Sequence, residues 1–220
     1  MHSLYEYSYA MEEGLAVLSG LFTGIPYTML GLVTYVFTAL TLYTVAKRRG
    51  IHKPWLAWIP GINVWLLGSI SDQYRYVVKG QIKSKRKVLL ILQIAVWLLG
   101  SALVVAGGVV ILQLLGSMAN FVNRAQVAGR LFRSVGLVAA LALPTIGAVI
   151  VYKVFYFIAL YDVYTSLDPE NSALFLVLSI LFPVTEAFFL FFNRNKDRGM
   201  PPRREAPVQE PWQQEDKDYV

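Results

Sequence analysis

Glu186 and Lys153 each sit inside an apolar run, SALFLVLSILFPVTEAFFLFF and LVAALALPTIGAVIVYKVFYFIALY. An ionisable group is costly to bury in such a run, so it marks a proton or ion pathway or else a pair that joins two helices. The turn TSLDPEN between the runs is short, which sets them side by side and favours a Lys153–Glu186 ion pair. A protonated Glu186 and a snorkelling Lys153 are the other structural readings. Lys153 precedes Asp162 by nine residues, or ~13 Å of helix. With Asp162 marking the edge of the apolar layer, Lys153 lies near its middle. Asn63 is the third polar candidate, just past the Pro60-Gly61 break. Proline frees backbone carbonyls and removes a donor, and an Asn amide can satisfy such groups. Its alternative role is to contact a ligand or ion at a broken helix.

No further chemistry is legible. The sequence has no GxxxxGK[ST], HExxH or GxSxG, so no phosphate loop, zinc-protease helix or nucleophile elbow is expected. It has no cysteine, which excludes disulfides, thiolate ligands and a thiol nucleophile. His2 and His52 are far apart. No catalytic residue, metal ligand or cofactor is assigned.

The elements that position these residues follow from composition. The chain is 56% hydrophobic and 15% charged with a mean hydropathy of +0.50, against about 25% charge in a soluble domain. The charge deficit lies in long runs, the signature of an all-α, polytopic helical membrane protein. Three runs are clear spans: residues 26–46, 88–115 and 137–161, the last with Pro144 inside. Two apolar segments, 54–70 and 172–192, are interrupted by proline. The net charge of +6 comes from basic residues at the ends of apolar runs. They read as topology signals and contacts for anionic lipid headgroups at basic loops, not for nucleic acid.

Residues 47–87 fix the orientation. Lys47, Arg48, Arg49 and Lys53 precede the Pro60 segment, and Arg75, Lys79, Lys83, Lys85, Arg86 and Lys87 follow it. Both clusters belong in the cytoplasm. Residues 1–25 are then an acidic, aromatic N-terminal segment outside, 26–193 the helical membrane domain, and 194–220 a disordered, charged cytoplasmic tail. Gly14 to Ile25 is too short to span, and Pro26 suits the first turn of a helix. Residues 116–134 form an amphipathic surface helix with Met118, Phe121, Val122, Ala125 and Phe132 on one face. For the two Pro segments there are two consistent topologies: both re-enter, giving three spans, or both cross, giving five. Either puts the basic start of the tail inside. Re-entry is preferred because only Arg124, Arg130 and Arg133 then lie outside. A short internal likeness accompanies this: Thr41-Leu-Tyr-Thr-Val45 and Ala159-Leu-Tyr-Asp-Val163 each end a span before a Pro-centred segment.

Trp55-Leu-Ala-Trp-Ile59-Pro60-Gly-Ile-Asn63 resembles the Trp-x-x-x-Ile-Pro-x-x-Asn motif of uncharacterised families of small bacterial integral membrane proteins. The resemblance covers residues 35–72, more loosely 158–192. It implies a multi-pass protein of the bacterial cell membrane and carries no activity with it. The expected function is a non-enzymatic scaffold, assembly or regulatory factor. Its partners are the lipid bilayer and another membrane protein or a second copy of the chain. The alternative is a small channel or transporter protomer using Asn63, Lys153 and Glu186.

Overall fold

The computed structural model describes residues 2–81, 84–119 and 124–202. Among them the chain is all-helical: α1 (His2–Arg48), α2 (Asn63–Lys79), α3 (Lys85–Ala119), α4 (Arg124–Leu167), α5 (Ser172–Leu181) and α6 (Pro183–Asn193), with a 3-10 turn at Pro54–Trp58. Three stretches are long and apolar enough to cross a membrane: Pro26–Arg48, Lys85–Gly116 and Gly129–Leu167.

Two of the expected boundaries are different. Pro26 lies inside α1, which runs unbroken from the acidic N-terminal segment into the first apolar stretch. No turn signal precedes Pro26, and an apolar helix absorbs a proline as a local irregularity rather than a stop. The separate surface helix at 116–134 is also replaced. α4 begins at Arg124 and carries Arg130 and Arg133 into the same helix as Pro144 and Lys153. Gly129 and Gly136 lack the following proline or cap that would end it. Residues 120–123 of that reading lie outside the described residues, as does the reading of 203–220 as disordered.

After α1 the chain turns back twice in similar ways. From Arg49 the 3-10 turn descends along α1 until the Tyr35 hydroxyl donates to the Trp58 carbonyl at 2.5 Å. Ile59 is extended and Gly61 takes a φ of 83°, so the chain reverses and α2 climbs back. A Cβ on Gly61 would overlap the Trp97 ring of α3, and one on Gly68 would meet the Arg86 backbone. Both glycines are therefore contact points for α3. The Gln73 amide then donates to the Arg49 carbonyl at 3.2 Å, beside the point of entry.

The second hairpin follows α4. α5 ends at Phe182, where Pro183 opens α6 and cannot supply the N–H that would continue α5. The Thr185 hydroxyl donates to the Phe182 and Leu178 carbonyls at 2.7 and 3.2 Å, beside the backbone N–H groups of Thr185 and Phe182 that these carbonyls also accept. Phe175 and Phe189 stack with centroids 4.8 Å apart. Fourteen residues of continuous helix would separate them by ~21 Å, so α5 and α6 are antiparallel. Lys196 reaches Asp168 at 2.8 Å, which closes this hairpin next to its own start.

The two halves exchange arms. The outgoing arm of each hairpin lies on the helix before it, the 3-10 turn on α1 and α5 on α4. The returning arm packs on the other half: α2 on α4, and α6 on α1, where Phe37 stacks on Phe191 and meets Phe188 edge-on. The two likened pentads lie in the seam this creates. Leu42 and Val45 of the first share one buried cluster with Ala159, Leu160 and Val163 of the second, alongside Leu66, Leu67 and Leu190. α3 is an added helix that packs on α4 and α2.

Candidate functional site

Asp162 is the centre of the polar structure. It falls on the face of α4 that α2 covers, and it is only 1% exposed. Three donors from two other helices converge on its Oδ2: Ser71 Oγ, Arg75 Nε and Lys85 Nζ, each at 2.6 Å. Its Oδ1 is buried without a hydrogen-bond partner among the described residues. Asp162 therefore does not simply mark an edge. It ties α4 to α2 and to the first residue of α3. Asp72, one residue after Ser71, accepts the backbone N–H groups of Lys85 and Arg86 at 2.8 and 3.2 Å, which caps α3.

The same end of the molecule holds two further clamps. Arg49 is 8% exposed and joins Asp197 and the Ser166 hydroxyl, while Arg48 also reaches Asp197 at 3.1 Å. Burial lowers the Arg49 pKa from its ordinary value and Asp197 opposes that shift, so the group stays charged at any physiological pH. The Lys196 ammonium, hydrogen-bonded to Asp168, holds that carboxyl below the usual carboxylate range. Residues 194–202, read from sequence as the start of a disordered tail, supply Lys196 and Asp197 to these clamps. Arg198 and Gly199 donate backbone N–H groups to Leu167 and Ser166 at 3.1 Å each.

The three candidates from sequence are placed apart from this cluster. Asn63 opens α2 at the reversal. Its backbone N–H donates to the Ile59 carbonyl at 3.1 Å, and among the described residues its amide makes no hydrogen bond. The break is closed instead by Tyr35 and by backbone bonds from Ile62 and Asn63. Glu186 lies in the first turn of α6, at the other reversal. Its carboxylate accepts the Tyr156 hydroxyl of α4. Lys153 is exposed, with its ammonium 5.5 Å from the Tyr156 ring centroid and 5.8 Å from that of Phe157. Among the described residues no Lys153–Glu186 salt bridge forms, and Tyr156 neighbours both, through its hydroxyl on Glu186 and its ring near Lys153. Tyr156 precedes Leu167 by eleven residues, so Glu186 lies ~16 Å from the clamped end.

Asn63 and Glu186 hold matching places, each the third residue after the proline of its hairpin, Pro60 and Pro183. Sequence reasoning missed Asp162, Ser71, Arg75 and Lys85. The signal was in the internal likeness: Asp162 stands where the first pentad has Thr44. The Thr44 hydroxyl bonds its own helix at Leu40, whereas a carboxylate at that position must find partners elsewhere. No family model, curated protein or solved structure matches the chain.

Proposed function

We propose that this chain is a multi-pass integral protein of the bacterial cell membrane, acting as a non-enzymatic scaffold or assembly factor. α1, α3 and α4 cross, and both Pro-broken hairpins re-enter from the cytoplasmic side, where the basic clusters and the tail lie. The observation that carries this reading is the clamped cytoplasmic end. Asp162, Asp168 and Asp197 each bind cations from a different segment. Their charge goes into fixing α1, α2, α3, α4 and the tail as one rigid face. Outside it, α3 keeps Ile91, Leu98, Val104, Val105 and Leu112 more than half exposed, an apolar wall for lipid or another membrane helix.

Affinity isolation of the tagged protein in mild detergent tests this. A membrane protein should co-purify in fixed ratio, and liposomes holding the pure chain should leak ions and solutes no faster than empty ones. Flux lost on Glu186→Gln would sink the scaffold reading and leave the second one. That reading, a channel or transporter protomer, is favoured by Glu186 on a helix N-terminus ~16 Å deep.

A further inference from the structure

The cytoplasmic ends of α2, α3 and α4 enclose a cavity of about 360 Å³ lined by Arg75, Ser84, Lys85, Val88, Phe155 and Ile158. Its wall is amphipathic by position. Arg75, Ser84 and Lys85 come from the clamped end, while Ile158 and Phe155 lie about one and two turns deeper on α4 than Asp162. No acidic residue lines it. Asp162 offsets one positive charge of the Arg75–Lys85 pair, and it is 1% exposed where Arg75 is 17%. Arg75 spends Nε on Asp162. Its two terminal amino groups make no hydrogen bond among the described residues and remain for an anion. Arg86 and Lys87 follow on the exposed first turn of α3 and raise the local positive potential. The larger cavity on the other side of α2, lined by His52, Trp65, Arg86 and others, includes Asp72 and has no such surplus.

We propose that this cavity is a binding site for one anionic glycerophospholipid. The phosphodiester sits at Arg75, Ser84 and Lys85, and an acyl chain lies over Val88, Phe155 and Ile158. A guanidinium with free amino groups suits a phosphate oxygen pair. Basic recesses between helices at the cytoplasmic surface take headgroups of this class. Val88 and Ile158 are 38% and 39% exposed, open enough to receive a chain from the bilayer. The proposal rests on the membrane reading above, which detergent-dependent extraction tests by itself.

The test is thermal unfolding of the delipidated full chain in a neutral detergent. Three additions are compared: phosphatidylglycerol, phosphatidylcholine with the same acyl chains, and inorganic phosphate. Phosphatidylglycerol should raise Tm by about 5 °C or more near a hundred times its Kd, with little effect from the other two. Ser84→Asp places a negative charge at the mouth, and Ile158→Trp fills the apolar half. Each should keep the lipid-free Tm and lose most of the shift. If one variant does not fold, Val88→Trp serves in its place. Equal shifts from both lipids, or shifts that survive all these substitutions, would overturn the site. A shift from inorganic phosphate alone would overturn the lipid as its occupant. None of these outcomes bears on whether the protein needs detergent to leave the membrane.

Discussion

Replacing Asp162 by Asn tests the centre of the molecule. Asn keeps the volume but removes the charge that two cations share, and its amide presents a donor where three donors already converge. Breaking a buried ion pair from one side costs about 3–5 kcal/mol. Arg75 and Lys85 are 17% and 9% exposed, so they regain some water and the lower end, ~3 kcal/mol, is expected. At ~2–4 °C per kcal/mol for a chain of this size, Tm should fall by ~6–12 °C. Lys85→Met alone leaves Arg75 and Ser71 on Asp162 and should cost ~1–2 kcal/mol. In the double variant one uncompensated cation is gone, so the combined loss should fall short of the sum by at least ~1 kcal/mol. The assay is tryptophan fluorescence during heating in detergent, with Trp65 and Trp97 packed near the affected helices. A Tm within ~2 °C of the parent for Asp162→Asn, or losses that simply add, would refute the reasoning and return Asp162 to the edge of an apolar run.

The Tyr156–Glu186 bond predicts that Tyr156→Phe and Glu186→Gln are coupled in a double-mutant cycle by ~1 kcal/mol or more, while Lys153→Met, which acts on Glu186 through its charge without direct contact, couples to Glu186→Gln more weakly. A Lys153 coupling as large as that of Tyr156 would restore the ion pair that spacing suggests. Gly61→Ala should cost ~1–3 kcal/mol, since it strains a φ of 83° and drives a methyl into Trp97; Trp97→Ala in the same chain should relieve the steric part, read as a smaller Tm loss. Asp168 titrates below its unfolded value, so its contribution is present above pH ~4 and is lost as pH falls through the folded value. The acid-side fall in Tm should therefore shrink in Lys196→Met, by no more than ~1 kcal/mol because Lys196 is 38% exposed. Finally, a lone cysteine at Asn63 in this cysteine-free chain should react with an impermeant thiol reagent only from the cytoplasmic side. Labelling of Ser71→Cys from outside would replace re-entry by crossing.

The long helices were legible in the sequence because one-dimensional quantities decide them. Apolar length alone marks residues 26–46, 88–115 and 137–161, which fall inside Pro26–Arg48, Lys85–Gly116 and Gly129–Leu167, and Pro60 and Pro183 locate both breaks, since a missing N–H acts locally. Whether a break bends the chain slightly or reverses it is not local. It depends on what the arms find to pack against: Phe175 meets Phe189, and Phe37 meets Phe191. Burial could not be read for Asp162 either. Its partners, Ser71, Arg75 and Lys85, come from 77 to 91 residues earlier, and only the exchange of returning arms between the halves brings them together. Lys153 and Glu186 show the converse. Their residue types and short connecting turn permitted a pair, but the Tyr156 hydroxyl lies closer to the carboxylate, and a hydrogen-bond partner already in place leaves the ammonium on the outside of α4.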